Sequence, residues 1–123
     1  MKNSLVKKTA YTQSDCTIRL VASEDALYVI GGKWTLRIMI AIISGHRRFN
    51  DLQRTIKGIS ARVLSGELKD LEINGLVERV VLADQKPVVV EYMPTEYSKS
   101  LKKIIEALED WGARHKKRIT TRK

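Results

Sequence analysis

The stretch from Phe49 to Gly75, FNDLQRTIKGISARVLSGELKDLEING, constrains this chain most, because it spells two amphipathic helices separated by one short break. Phe49, Leu52 and Ile56 stand at i, i+3 and i+7 and so share one helical face. Gly58 follows Lys57 as a left-handed stop, a conformation glycine takes without steric cost. Ser60 is then a natural N-cap, its hydroxyl able to accept from a free amide of the next turn. In the second helix Leu64, Leu68 and Leu71 repeat at i, i+4 and i+7, and Gly75 ends it. The opposite face carries Ala61, Arg62, Ser65, Gly66 and Lys69. That face is short-chained, polar and basic, as suits a helix lying in a DNA major groove. Paired helices around a glycine turn also occur in many helical proteins with no such role, so these residues leave both readings open.

The continuation narrows the choice. Leu76 to Leu82 (LVERVVL) and Val88 to Met93 (VVVEYM) are rich in β-branched and aromatic residues. Between them Ala83-Asp84-Gln85-Lys86-Pro87 has turn chemistry. Helix, helix, hairpin is the order of a winged helix-turn-helix. It places the helix-turn-helix at residues 49–75 and the wing at 76–93, with Lys86 near the wing tip. The fold class is α+β and mostly α.

Upstream, Ser23 reads as an N-cap with Glu24 and Asp25 in the first turn, opening a short helix that Gly31-Gly32 breaks. Asp15 to Ala22 reads as a separate short element. From Lys33 to Ser44 the sequence KWTLRIMIAIIS is apolar on nearly every side, which predicts a central core helix covered from several directions, with Gly45 as its stop. His46, Arg47 and Arg48 form a basic step, either a phosphate contact or a solvated loop. Downstream, Thr95 caps a long helix running through about Lys117. Its residues Leu101, Ile104, Ile105, Leu108 and Trp111 make one continuous stripe, fit to bury against a second copy or to pack back on its own domain. Residues 1–14 read as a flexible basic arm, or more simply as an untidy terminus.

Composition bounds the alternatives. At 123 residues the chain reads as a single domain over 1–123, and 43% hydrophobic with 30% charged residues suits a globular fold. Lys and Arg outnumber Asp and Glu by 23 to 14, a net +9 that favours a polyanionic partner: nucleic acid before an anionic membrane surface. No secretory h-region or membrane span is expected, since the most apolar run, Leu36 to Ile43, is short and interrupted by Arg37. The lone Cys16 excludes an internal disulfide, and the cytoplasm is the default compartment. His46 and His115 are isolated, and no HExxH, CxxC, glycine-rich phosphate loop or Ser-His-Asp set occurs, so neither an enzyme, a cofactor nor a metal is expected.

Several motifs together resemble a known family. Ile30-Gly31-Gly32-Lys33-Trp34-Thr35 is followed by Arg47-Arg48-Phe49-Asn50-Asp51-Leu52 and by Ile59-Ser60-Ala61-Arg62-Val63-Leu64. Then come Leu71-Glu72-Ile73-Asn74-Gly75-Leu76-Val77, Val90-Glu91-Tyr92 and Trp111-Gly112. In this order and spacing, over roughly Ala26 to His115, the chain resembles the HxlR-type transcriptional regulators, relatives of the MarR group. The resemblance implies a homodimer on a pseudo-palindromic operator in double-stranded DNA, with its recognition helix starting at Ser60. It further implies dimer contacts from the chain's start and the C-terminal helix, including Leu101, Ile104, Ile105, Leu108 and Trp111. DNA contacts would then fall to Arg47, Arg48, Ser60, Ala61, Arg62, Ser65, Gly66, Lys69 and Lys86.

Three departures stand out. Members often carry a longer polar side chain at the positions of Ala61 and Gly66, so here Arg62, Ser65 and Lys69 carry more of the readout, or the backbone lies closer to DNA. Many members have Cys-Pro near the N-terminus, and some use that cysteine to sense oxidants; here Cys16 precedes Thr17 and lies farther from Gly31-Gly32, yet it is the candidate redox sensor. The strand-to-helix join reads Met93-Pro94-Thr95-Glu96-Tyr97-Ser98 in place of Leu-Thr-Pro-x-Gly, which should shift only the cap. A small apolar ligand between the core helix and the stripe is the other candidate effector. The competing class is a winged-helix protein-interaction module or a nonspecific architectural DNA-binding module.

Overall fold

The computed structural model describes residues 13–121. The chain divides into two compact units, residues 1–32 and 33–123.

Among the described residues of the first unit there is one helix, α1, Gln13–Ile30. The separate short element and the N-cap at Ser23 expected from sequence are replaced by this single helix. Nothing between Asp15 and Ile30 breaks it, and the Ser23 hydroxyl donates back to the Leu20 carbonyl at 3.0 Å, a bond that satisfies a serine inside a helix. The helix hydrogen-bond pattern carries on to the Gly31 amide, which donates to the Leu27 carbonyl at 2.8 Å. A Cβ at Gly31 would stand 2.5 Å from that same oxygen, so the break after α1 needs glycine. Ile18, Leu20, Val21, Leu27 and Tyr28 are exposed along α1. Of the arm expected at 1–14, Gln13 and Ser14 belong to α1, and the rest lies outside the described residues.

The second unit runs α2 (Thr35–Ile43), α3 (Phe49–Thr55), α4 (Ala61–Ile73), β1 (Val77–Leu82), β2 (Val89–Pro94), a 3₁₀ turn (Tyr97–Leu101) and α5 (Lys102–Thr121). α2 is a core helix as expected, with Ile38, Met39 and Ile42 fully buried, but it is not covered all round: Ile40 and Ile43 are exposed. The buried residues share a core with Leu52, Ile56 and Ile59 around α3, with Leu64, Leu68 and Leu71 of α4, and with Leu76 and Val77 leading into β1. Gly45, Gly58 and Gly75 have φ of 113°, 86° and 76°, so each ends or joins a helix in the left-handed region. The helix before Gly58 stops earlier than Lys57, at Thr55.

β1 and β2 form an antiparallel hairpin in register from Val77 opposite Pro94 to Leu82 opposite Val89. The wing is tied to the loop after α2, because the Tyr92 amide donates to the Arg47 carbonyl at 2.7 Å. Thr95 acts as the expected start signal, though for a 3₁₀ turn first: its Oγ1 accepts from the Ser98 amide at 3.1 Å. The same hydroxyl donates to the Gly75 carbonyl at 2.6 Å, joining the end of α4 to the start of the C-terminal segment. The final helix continues past the expected Lys117 to Thr121.

Candidate nucleic-acid interface

α4 is positioned by its ends and one face. Ser60, with extended φ and ψ of −82° and 159°, accepts from the Val63 amide at 3.1 Å and so caps the helix as its sequence predicted. Leu64, Leu68 and Leu71 are buried to within 2% of full burial and anchor the inner face. The other face presents Ala61, Arg62, Ser65, Gly66 and Lys69 to solvent. Neither Arg62 nor Lys69 enters an ion pair among the described residues. A capped, anchored helix thus carries two uncommitted cations and small side chains outward, which is what a polyanionic groove requires.

Sequence reasoning missed one bond that orients this helix. Thr35, 7% exposed at the start of α2, donates from Oγ1 to Glu67 Oε1 at 3.2 Å and ties α4 to α2. The signal available was Thr35 closing the IGGKWT motif, but nothing local points it to a carboxylate 32 residues away.

The remaining cations divide. Arg47 is half-buried, its guanidinium donating to Met93 Sδ at 3.6 Å on the wing strand. Arg48 is exposed and stands 3.6 Å from the Glu91 carboxylate. Lys86 is exposed in the loop between β1 and β2. His46 Nδ1 lies 2.7 Å from Asp51 Oδ2, whose other oxygen meets Arg54 at 3.4 Å, so His46 braces the first turn of α3.

The C-terminal stripe splits by depth. Leu101 and Ile105 are buried at 7% exposure each, while Ile104, Leu108 and Trp111 are exposed at 41%, 49% and 61%. Trp111 stacks on His115, ring centroids 4.8 Å apart. Between α2 and the C-terminal segment opens a cavity of about 390 Å³ lined by Ile40, Ile43 and Ile105 together with Lys99, Lys102 and Glu106. Cys16 is exposed on α1. Among the described residues no cluster of His, Cys, Asp or Glu could hold a metal, and no single helix is long and apolar enough to cross a membrane.

The model of the HxlR-like helix-turn-helix family matches residues 29–120. The chain belongs to that family. Among its HxlR-like relatives is the HTH-type transcriptional regulator YtcD of Bacillus subtilis strain 168, 37% identical over 99 residues, 80% of this chain and 78% of that one. The redox regulator HypR in its reduced form has a similar structure, with a TM-score of 0.74 and 35% identity over 81% of this chain and 98% of that one. A MarR-family regulator from Enterococcus faecalis V583 matches with a TM-score of 0.68 and 29% identity, covering 98% of this chain and 99% of that one. This HxlR-like chain is accordingly a transcriptional regulator with a winged helix-turn-helix DNA-binding fold, mostly helical with one small antiparallel sheet.

Proposed function

We propose that this regulator works as a homodimer and reads a pseudo-palindromic operator in double-stranded DNA through the outer face of α4. The observation that carries the reading is the free, exposed pair Arg62 and Lys69 on a helix capped at Ser60 and held to α2 through Glu67. Two copies present α4 to successive major grooves, one helical turn or about 34–36 Å apart. Arg62 and Lys69 reach base edges or phosphates, and Ser65 makes a short contact. Ser60, Ala61 and Gly66 allow the backbone to come close. Arg47, Arg48 and Lys86 face the flanking backbone, Arg48 and Lys86 from exposed positions. The exposed Ile104, Leu108 and Trp111 give the second copy an apolar surface on α5. The protein acts in the cytoplasm, on DNA, without catalysis.

The signal it answers is thiol oxidation at Cys16 or an apolar ligand in the cavity beside Ile40 and Ile105. The exposed thiol and the likeness to a redox regulator support the first. If Cys16 senses oxidants, mild oxidation yields either a cross-linked dimer on a non-reducing gel or a change in DNA affinity; the absence of both discards the thiol. Selection of bound duplexes from a random pool tests the main reading. Enriched inverted repeats with half-sites one turn apart are expected, and recovery of unrelated or asymmetric sequences would reject it. The side-chain-poor positions Ala61 and Gly66 favour a second reading, a nonspecific architectural or protein-interaction module. A ratio of specific to random affinity near unity at fixed salt is its signature.

A further inference from the structure

A second concentration of positive charge lies at the start of α2, outside the α4 face. Trp34 precedes α2, half-buried, with Lys33 Nζ 4.9 Å and Arg37 Cζ 5.2 Å from the centre of its ring. The indole also lies beside the turn that leads into α4: a Cβ on Gly58 would come 3.9 Å from Trp34 Cη2. Lys57 is the neighbour of Gly58 in that turn. Arg37 and Lys57 line one hollow of about 380 Å³ with Ser44, His46 and Thr55. Lys33, Arg37 and Lys57 are all exposed.

Among the described residues elsewhere in this unit, Arg48, Arg54, Lys99 and Arg114 face carboxylates, while Arg62, Lys69 and Lys86 do not. Lys33, Arg37 and Lys57 have no ion pair among the described residues. An aromatic ring draws cations over it without neutralising them, so Trp34 orders two of these charges and leaves their demand for an anion unmet. The cluster is also fixed relative to α4. The Thr35–Glu67 bond ties the start of α2 to the middle of that helix, and Gly58 is two residues from the Ser60 cap. The start of α2 is thus held at a set offset from α4, and the turn that carries Lys57 leads into the N-terminal end of that helix.

We propose that Lys33 and Arg37, ordered by Trp34, together with Lys57 of the adjacent turn, form a clamp for the phosphate backbone of the DNA strand flanking the N-terminal end of α4. The clamp rests on the DNA-binding reading of α4 and adds a binding surface separate from it and from the wing. Backbone contacts carry no sequence information and release counterions, so they set the salt dependence of binding and leave site preference unchanged.

The test measures affinity of the full chain for a selected operator and for random duplex over a series of salt concentrations. The variants are Lys33→Gln with Arg37→Gln, Lys57→Gln, and the charge-keeping Arg37→Lys. The slope of log Kobs against log salt should become shallower by about 0.9 for each phosphate that is no longer neutralised. That amounts to about 4 for the double variant and about 2 for Lys57→Gln with two copies bound. Affinity should fall alike on both duplexes, while Arg37→Lys keeps the wild-type slope. Lys57→Gln carries the test if the double variant fails to fold. A wild-type slope in folded variants, with Arg62→Ala still losing specific binding, overturns the clamp and leaves the α4 reading standing. A change in site preference without a change in slope overturns it as well. Absence of any duplex binding by the wild-type chain removes both.

Discussion

Gly66→Ala separates the stability of α4 from its use. Gly66 lies inside α4 on the exposed face, and an added Cβ would meet nothing within 4 Å. No steric penalty therefore opposes the substitution, and the φ of Gly66 is not in the left-handed region. Glycine inside a helix costs about 0.8–1 kcal/mol relative to alanine, chiefly because the unfolded chain loses more freedom on folding. The variant should be more stable by about that amount, which for a chain of this size raises Tm by about 3–6 °C. On the operator the same methyl group should act in the opposite sense. If the bare backbone at Gly66 permits close approach to the groove, the methyl lowers specific affinity several-fold and leaves binding to random duplex nearly unchanged. Thermal melts followed at the helix band and anisotropy titrations on both duplexes read the two effects independently. A lowered Tm would mean that the face is packed against something and is not open. An unchanged operator affinity with a raised Tm would show that the glycine is not there to admit the DNA backbone.

Other changes probe the remaining parts. Arg62→Ala should lose operator binding while Lys86→Ala weakens binding to all duplexes, and gel shifts on operator and random DNA that show the same pattern for both would end that division of roles. Ser60→Ala removes the acceptor for the Val63 amide and should cost about 1 kcal/mol in urea unfolding, with an unchanged midpoint counting against the cap. Replacing the exposed Leu108 and Trp111 with alanine should shift the chain toward monomer in light scattering after gel filtration without unfolding it; a dimer of undiminished affinity would place the interface elsewhere.

The parts legible in the sequence are those encoded over a few residues. Ser60 and Gly75 bracket α4, Leu64, Leu68 and Leu71 mark its inner face, and two β-branched runs around Lys86 and Pro87 make the hairpin. Each of these signals depends on backbone geometry within a turn or two, so the helix-turn-helix and its outward face can be read without knowledge of the packing. The same locality explains the difference at Ser23, where the residues of a cap sit inside a continuing helix because the serine hydroxyl finds its partner one turn back.

Tertiary packing decided the rest. The stripe from Leu101 to Trp111 has one spacing, yet Leu101 and Ile105 enter the core while Ile104, Leu108 and Trp111 stay in solvent, a division the spacing does not carry. Arg47 and Arg48 are neighbours in a basic step, and only the wing strand turns one toward Met93 and sets the other beside Glu91. Thr35 and Glu67, like Trp34 and the turn at Gly58, meet only when α2 is laid against α3 and α4. A residue's periodicity names its face; what that face touches is set by segments tens of residues away, and no local propensity carries that information.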